Sequence, residues 1–202
     1  MTDMGKAYDD FDVLRDRTDR DKMPKDFLDI RDRFVDMLEP DDKVLSAGFG
    51  GAHGLKYFQQ NGLEVYGVDL SKSNVEGARD LGFDVRKEDM KDMSFPDNYF
   101  DGIWCCTSIH FNDHERMVEA AEELYRVTDE GGMVHITFKI GEDEFYVEER
   151  ADVDLKHYLV SEDYAKEIVS AAGYKSTETE VNASHREEFD YFMNIFAEKP
   201  EK

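Results

Sequence analysis

After its first 23 residues, the chain alternates between segments whose apolar residues recur at helical spacing and short apolar runs. Apolar side chains recur at helical spacing through Phe27, Ile30 and Phe34, which predicts a helix. Pro24 suits the first turn of that helix, and Pro40 ends it. From residue 43 on, short apolar runs typical of strands alternate with segments of helical spacing.

The apolar runs predict strands at residues 43–47, 64–68, 83–86, 100–106, 133–138, 174–181 and 189–197, with a turn at 131–132. Helices are predicted at residues 52–60, 71–81, 113–126 and 161–173. Strands that alternate with helices in this way form a parallel sheet that is covered on both faces. Because no clear helix separates the last two strands, one of them is expected to be antiparallel. The expected fold is α/β, with three layers around about seven mostly parallel strands.

The charge and composition of the chain narrow the range of partners that it is expected to bind. The 48 acidic and 25 basic residues give a formal net charge of −23, and the field of such a chain repels nucleic acids. No apolar run approaches the ~20 residues of a membrane-spanning helix, and the amino terminus has no signal pattern. The adjacent Cys105 and Cys106 are too close for an ordinary disulfide, and no Cys/His spacing is typical of a metal site. These features favour a cytoplasmic, single-domain protein without a nucleic-acid or membrane partner.

A glycine-rich loop is the first candidate for ligand chemistry. The segment Ser46–Gly54 has the sequence Ser-Ala-Gly-Phe-Gly-Gly-Ala-His-Gly and lies between a predicted strand and a predicted helix. Glycines let a ligand approach the backbone, and the amino terminus of the helix offers free N–H groups. A tight turn would require the same glycines, so the loop by itself is a weak signal.

An acidic residue at the end of the next strand strengthens that signal. Asp69 follows the apolar run Val65–Val68 and lies about 20 residues after Gly48. A carboxylate at this place can accept hydrogen bonds from the two ribose hydroxyls of a nucleotide. The loop and Asp69 together fit a nicotinamide cofactor or another adenosine-containing ligand.

Later segments discriminate between these ligands. Asp89 and Met90 follow the third predicted strand, and a run ending Phe-Pro-Asp-Asn-Tyr-Phe-Asp covers Asp92–Asp101. A Glu-Leu-Tyr-Arg-Val segment then leads to two glycines over Glu123–Gly132. In this order the segments resemble the class I S-adenosylmethionine-dependent methyltransferases, which are small single-domain proteins with a Rossmann-like fold. The resemblance covers nearly the whole chain, and the motif spacing matches over about residues 40–140.

The resemblance implies a cofactor site for S-adenosylmethionine, made of Ser46, Gly48, Gly50, Asp69, Leu70, Asp89, Met90, Cys105, Ser108 and Tyr8. Within it, Asp69 is expected to hold the ribose hydroxyls and Leu70 to pack on the adenine. Asp89 is expected to accept a hydrogen bond from the adenine amino group, and the backbone N–H of Met90 to bond the ring.

The remaining residues of this site are expected to surround the middle of the cofactor. Gly48 and Gly50 would line its methionine and ribose part, and Cys105 and Ser108 would border it at the end of the fourth strand. Tyr8 would close over the site from the amino-terminal arm.

The resemblance also implies a division of the chain. Residues 1–39 would form an arm and helix that serve as a lid, and residues 40–140 the cofactor-binding core. Residues 141–160 would form a substrate cap, and residues 161–202 the last helix and two strands.

Two positions depart from the family pattern. Ser46 stands where the family usually has an acidic residue that helps to hold the amino group of the cofactor, and Ala52 stands at the third glycine of the loop. These departures keep open the alternative of a non-catalytic protein that binds S-adenosylmethionine or S-adenosylhomocysteine on the same fold.

Methyl transfer needs little from the protein, because the sulfonium is already activated and alignment supplies most of the acceleration. A base is needed only when the acceptor must lose a proton, and His110 is the first candidate for it, ahead of His53. Phe145, Tyr146 and Arg150 are candidate contacts for a small-molecule acceptor. The net charge favours a neutral or cationic acceptor.

Two other classes remain as weaker alternatives. A nicotinamide oxidoreductase would need a catalytic Tyr/Lys or His arrangement that the sequence does not offer, and it leaves Phe95–Asp101 unexplained. Methylation of nucleic acid is disfavoured by the net charge.

Overall fold

The computed structural model describes residues 25–142, 144–150, 153–183 and 191–201. Its first half contains α1 (Lys25–Asp36), β1 (Lys43–Ala47), α2 (His53–Gln60), β2 (Glu64–Val68), α3 (Lys72–Asp80), β3 (Asp84–Arg86) and β4 (Phe100–Cys105). A short 3-10 helix (Ile109–Phe111) then leads to α4 (His114–Val127), β5 (Thr128–Ile140), β6 (Phe145–Arg150), β7 (Val153–Tyr158), α5 (Glu162–Ala171), β8 (Lys175–Ala183) and β9 (Tyr191–Glu198).

Seven strands form one sheet in the order β3-β2-β1-β4-β5-β9-β8. The strands from β1 to β5 pair in parallel, and β9 is antiparallel to both β5 and β8. The predicted α/β fold, with about seven strands of which one is antiparallel, is confirmed. The strand order changes direction between β1 and β4, and in open sheets of this kind a crevice forms beyond the carboxyl ends of the strands at that point.

Both faces of the sheet are covered, as the nearly continuous apolar character of the central strands requires. Successive residues of a strand point to opposite faces, so Val44 packs under α1 and α2 while Leu45 packs under α4 and α5. On the α1 side, the ring of Phe34 lies 5.6 Å from that of Phe58 and 5.2 Å from that of Trp104. This aromatic contact fixes α1 against the carboxyl half of β4.

Local sequence signals position the helices. The hydroxyl of Ser71 accepts a hydrogen bond from the Asn74 N–H, so the predicted cap of α3 is confirmed. The side chain of Asp113 accepts in the same way from the Arg116 N–H and starts α4. None of the helices in the described part of the chain is long and apolar enough to cross a membrane.

The start of β5 differs from the prediction. The predicted turn at Gly131–Gly132 before the strand is wrong, because β5 begins at Thr128 and runs through both glycines. The end of the chain pairs with this segment: the Gly131 N–H donates to the Lys199 carbonyl, and the Lys199 N–H donates to the Gly132 carbonyl. These long-range hydrogen bonds outweigh the local preference of the two glycines for a turn.

A second, two-stranded sheet lies in the region predicted as a cap. Strands β6 and β7 form an antiparallel hairpin whose pairing runs from Phe145 and Tyr158 at one end to Arg150 and Val153 at the other. Strand β7 packs against the 3-10 helix that follows β4. The hairpin is therefore fixed beside the carboxyl end of β4.

Candidate active site

A cleft opens beyond the carboxyl ends of β1, β2 and β4, where the change in strand order places it. Most of the predicted cofactor residues line this cleft: Ser46, Gly48, Gly50, Asp69, Leu70, Asp89, Met90 and Ser108. The fold thus brings together residues that are up to about 60 positions apart in the sequence.

The glycine loop owes its path to its glycines. Gly48 has a positive φ of 70°, and a Cβ on this residue would lie 2.5 Å from the Cβ of Ser108. The Ser108 hydroxyl donates a hydrogen bond of 2.8 Å to the Ala47 carbonyl, which holds the end of β4 against the loop. Gly50 also has a positive φ, and nothing lies within 4 Å of the place where its Cβ would be. The loop therefore packs tightly at Gly48 and leaves open space at Gly50.

Ala52, the departure from the third glycine, adopts the backbone that the glycine would favour. It has φ 60° and ψ 13°, in the left-handed region, and α2 begins directly after it. Such a conformation costs an L-residue about 1–2 kcal/mol. Helix α2 forms nevertheless, and Ala52 is buried in a cluster with Phe49 and Leu55. The substitution leaves the course of the loop intact.

Asp69 is fixed by two backbone donors. The Gly50 N–H donates to one carboxylate oxygen and the Ser71 N–H donates to the other, both at 2.8 Å. The Asn74 amide lies 3.4 Å from the second oxygen. A carboxylate has about four acceptor positions, so these contacts orient the group and still leave it able to bind a ligand hydroxyl.

Asp89 is held differently, by a cation. The ammonium of Lys91 bonds both of its carboxylate oxygens, at 2.7 and 2.6 Å, and also donates to the Asn112 side chain at 3.2 Å. Glu88 and Asn112 line the cleft together with Asp89, so this ion pair lies where the segment after β3 meets the residue after the 3-10 helix. Sequence reasoning identified Asp89 and did not identify Lys91.

The opposite end of the cleft contains residues that sequence reasoning missed. Phe27 and Arg31 of α1 line it together with Trp104 of β4, near Ser46. The ring of Phe27 contacts that of Trp104 edge-on at 6.2 Å, and the Arg31 guanidinium lies 3.5 Å above the ring of Tyr57. The spacing of Phe27 and Arg31 places them on one helix face, but only the packing of α1 shows that this face meets the cleft.

The two cysteines occupy different places. Cys105 does not line the cleft: it is fully buried, and its sulfur lies 3.3 Å from the Ser108 hydroxyl. Cys106 and Thr107 line the cleft instead. Burial raises the pKa of the Cys105 thiol to about 11 and that of the Cys106 thiol to about 12, so both remain protonated near neutral pH.

His110 also lies behind the cleft lining. It is 1% exposed, and its ring stacks on that of His157 at 5.2 Å. Burial, followed by the charges of Lys139 and His157, holds the pKa of His110 well below its usual range. The imidazole is therefore neutral. Phe111, the next residue, lines the cleft in its place, while His53 lies in the cleft itself.

The hairpin carries a buried polar cluster. The ammonium of Lys139 donates to the Tyr146 hydroxyl at 2.6 Å and to Nδ1 of His157 at 2.8 Å. Nε2 of His157 must then bear the proton, and it lies 3.0 Å from a carboxylate oxygen of Glu148. The rings of Tyr146 and His157 stack in parallel at 4.6 Å, and Phe111 contacts His157 at 4.8 Å. This cluster is separated from the cleft by Phe111.

The other predicted acceptor contacts are not all placed. Phe145 packs on Tyr158 across the hairpin, at 5.7 Å between ring centroids. The side chain of Arg150 and the whole of Tyr8 lie outside the described residues. Within the part of the chain that the structure describes, no three His, Cys, Asp or Glu side chains are grouped as a metal site.

Comparison with known proteins shows which proteins this chain is similar to. Residues 45–136 match a family model described as a methyltransferase domain, and this segment contains the glycine loop, Asp69, Asp89 and His110. No curated protein sequence matches the chain significantly.

Solved structures share the fold at low sequence identity. A protein of Pyrococcus horikoshii OT3 is 16% identical, with a TM-score of 0.76 over 96% of this chain and 98% of that protein. A S-adenosylmethionine-dependent methyltransferase of Methanosarcina mazei is 15% identical, with a TM-score of 0.72 over 83% and 96%. The 1,6-didemethyltoxoflavin-N1-methyltransferase of Burkholderia thailandensis, solved with 1,6-didemethyltoxoflavin and S-adenosylhomocysteine, is 16% identical, with a TM-score of 0.68 over 85% and 76%.

The chain thus has a Rossmann-like fold that it shares with solved methyltransferases, and residues 45–136 match a methyltransferase domain, in agreement with the motifs. Domain and fold together support a S-adenosylmethionine-dependent methyltransferase. The cleft fits this cofactor chemically, because the fixed carboxylate of Asp69 can accept from ribose hydroxyls and the open side of Gly50 admits a ligand to the backbone. S-adenosylmethionine is the cofactor that the domain indicates.

Proposed function

We propose that this protein transfers the methyl group of S-adenosylmethionine to a small-molecule acceptor. The observation that carries the proposal is the anchored carboxylate of Asp69, which faces the glycine loop inside a methyltransferase domain. The β6–β7 hairpin supports the choice of a small acceptor, since it packs on the 3-10 helix whose Phe111 lines the cleft. The Burkholderia relative, whose bound molecule is 1,6-didemethyltoxoflavin, is a precedent for such an acceptor on this fold.

In the proposed function, the chain's residues bind and align. Asp69 holds the ribose hydroxyls, and Gly48 and Gly50 allow the cofactor to approach the loop. Leu70 packs on the adenine, and Asp89 and Met90 bind its edge. S-adenosylmethionine, when bound, supplies a methyl group that is already activated by the sulfonium, so alignment with the acceptor is the protein's main contribution.

The acceptor side is proposed to lie where the 3-10 helix meets the hairpin. Phe111 lines the cleft and also contacts His157, so it forms the wall between the cofactor cleft and the polar cluster of the hairpin. Phe145 and Tyr146 do not line the cleft, so with Arg150 they are proposed to contact only a part of the acceptor that lies on the hairpin side of this wall. When the acceptor carries a proton, that proton has to leave as the methyl group arrives. His110 is buried behind the cleft lining with a lowered pKa, so His53, which lines the cleft, is the better-placed candidate to receive it.

The proposal is tested by incubating the full chain with S-adenosylmethionine and pools of metabolites, and by measuring release of S-adenosylhomocysteine. A signal that depends on one pool and is lost in Asp69→Ala would support methyl transfer at this cleft. Release that is unchanged in Asp69→Ala would place the chemistry elsewhere. Efficient methylation of RNA or another polyanion would overturn the small-molecule acceptor.

A second candidate function is binding of S-adenosylmethionine or S-adenosylhomocysteine without catalysis. It is favoured by Ser46, which lines the cleft where the resemblance calls for an acidic residue, whereas Ala52 leaves the course of the loop intact. Tight cofactor binding without methyl transfer to any pool would favour this candidate over the first.

A further inference from the structure

Charge is divided between the two ends of the cleft. The carboxylates of Asp69, Glu88 and Asp89 follow β2 and β3 and occupy one end. At the other end, beside β1 and β4, the guanidinium of Arg31 is the only full charge among the described lining residues, with His53 as the neighbouring titratable group. A ligand with an anionic end is therefore expected to place that end at Arg31.

The guanidinium of Arg31 is held in place. Arg31 is 4% exposed, and its guanidinium stacks 3.5 Å above the ring of Tyr57. The hydroxyl of Tyr57 in turn donates to the carboxylate of Asp32, which fixes the ring. A guanidinium offers five N–H donors in a plane and binds carboxylates in a bidentate way, so one that is already oriented is suited to that group.

Ser46 supplies no charge at this end. It is 2% exposed, it pairs with Trp104 across β1 and β4, and its hydroxyl lies 3.6 Å from the place of a Cβ on Gly54. A buried serine hydroxyl can accept one or two hydrogen bonds but cannot neutralise an ammonium group. The Arg31 guanidinium, which lines the same cleft, also disfavours a second cation there.

We infer that Arg31 binds the carboxylate of the cofactor's amino-acid end, and that this contact outweighs recognition of the cofactor's ammonium group. The inference rests on the proposed function, because it takes Asp69 as the ribose site and so directs the amino-acid end towards β1 and β4. Arg31 then acts as a binding and specificity-determining residue. The site selects cofactor forms that retain the carboxylate.

Calorimetric titration of the full chain with a set of cofactor analogues tests this assignment. The probes are S-adenosylhomocysteine, its deamino analogue, its decarboxylated analogue and 5′-methylthioadenosine, which lacks the amino acid. We expect the deamino analogue to bind within about 3-fold of S-adenosylhomocysteine, and the decarboxylated analogue about 10- to 100-fold more weakly. Equal loss for both analogues, or a larger loss for the deamino analogue, would overturn the inference.

Two variants test whether Arg31 is the residue responsible for this difference in affinity. Arg31→Gln should weaken S-adenosylhomocysteine about 10- to 100-fold and leave 5′-methylthioadenosine unchanged within about 2-fold. Arg33→Gln is the matched control on the same helix, since Arg33 forms ion pairs with Glu178 and Glu180 of β8 and does not line the cleft. Unchanged 5′-methylthioadenosine binding also shows that the Arg31→Gln variant is folded. If that variant does not fold, the wild-type analogue series decides alone.

Failure of the inference is distinguishable from failure of the proposed function. If the wild-type chain binds neither S-adenosylhomocysteine nor 5′-methylthioadenosine, both fail. If it binds S-adenosylhomocysteine but discriminates against loss of the ammonium group, only the assignment of Arg31 fails. Ser46→Asp provides the reverse test: a carboxylate in the same cleft as Arg31 should weaken binding of the deamino analogue and improve that of the decarboxylated one.

Discussion

Gly48 lies so close to Ser108 that the two residues join the glycine loop to the end of β4. A Cβ on Gly48 would stand 2.5 Å from the Ser108 Cβ and 2.9 Å from its hydroxyl oxygen. The Ser108 hydroxyl is itself bonded to the Ala47 carbonyl, one residue before the glycine. The cleft therefore depends on two segments that are 60 residues apart and that meet with no room for a side chain.

We expect Gly48→Ala to destabilise the protein by about 2–4 kcal/mol, because it combines a positive φ with a steric clash. Urea denaturation would measure the change in the free energy of unfolding. Gly62→Ala is the control, since Gly62 has φ 83° and open space around its missing Cβ. In that variant, the free energy of unfolding should fall only by the cost of placing alanine in a left-handed backbone conformation, about 1–2 kcal/mol. Equal losses in the two variants would show that the contact with Ser108 is not tight.

Asp69→Asn should weaken binding of S-adenosylhomocysteine at least about 10-fold. In the wild type, the backbone N–H groups of Gly50 and Ser71 each donate to one carboxylate oxygen of Asp69. The asparagine amide keeps only one oxygen, so its NH₂ group must face one of these two N–H donors. Asp101→Asn is a matched control, since Asp101 also accepts from a backbone N–H, that of Lys43, at the start of β4. Calorimetry should detect no change in cofactor affinity for the control. Unaltered affinity in Asp69→Asn would remove the ribose role from this residue.

Arg126 is expected to contribute strongly to stability. It forms a bidentate pair with Glu123 at 2.7 Å and donates to the carbonyls of Met93 and Phe95. Removing it in Arg126→Met leaves a partly buried carboxylate and two carbonyls without this donor, which should cost about 2–4 kcal/mol. Arg116→Gln, whose ion pair with Asp113 is exposed, should change stability by less than about 0.5 kcal/mol.

The same pair predicts a pH dependence. Burial of Glu123 opposes its ionisation, but the hydrogen bonds from Arg126 and from the Met93 N–H outweigh burial and hold its pKa below the usual range. A carboxyl whose pKa is lower in the folded state stabilises the protein above its unfolded pKa and loses that contribution as the pH falls through the folded pKa. The wild-type free energy of unfolding should therefore fall more steeply below about pH 4.5 than that of Arg126→Met. Parallel pH profiles would contradict this role of the pair.

Cys106 should react slowly and be protected by the cofactor. Burial raises the pKa of its thiol to about 12, so little thiolate is present at neutral pH, and the residue lines the cleft. Alkylation by iodoacetamide, followed by mass spectrometry, should proceed far more slowly than for a free cysteine and should slow further with S-adenosylhomocysteine. Cys105, which is buried behind Ser108, should be labelled only on unfolding. Rapid labelling of Cys106 that the cofactor does not affect would place it outside the binding site.

The sequence predicted local and periodic features well. The alternation of strands and helices, the cap at Ser71 and the placement of Asp69 at a strand end all depend on neighbouring residues. The features it missed depend on contacts distant in sequence. Arg31 enters the cleft only because Phe34 and Phe27 pack α1 on Trp104, and β5 continues through Gly131 because residues around Lys199 pair with it.

The β6–β7 hairpin is another feature that depends on contacts distant in sequence. Its residues lack a strong turn signal and were expected to form a substrate cap, and no strand was predicted among them. In the structure, the stack of Tyr146 on His157 and the ammonium of Lys139 hold the two strands beside the 3-10 helix. Because these partners come from β5 and both hairpin strands, no short sequence window could reveal the arrangement.

Titration of the full chain with S-adenosylhomocysteine tests the central claim most directly, because the proposed function and the assignment of Arg31 both require that the cleft binds this ligand. We predict binding of one equivalent, with a marked loss of affinity in Asp69→Asn and none in Asp101→Asn. Absence of binding at about millimolar ligand to the folded wild-type chain would contradict the proposed function.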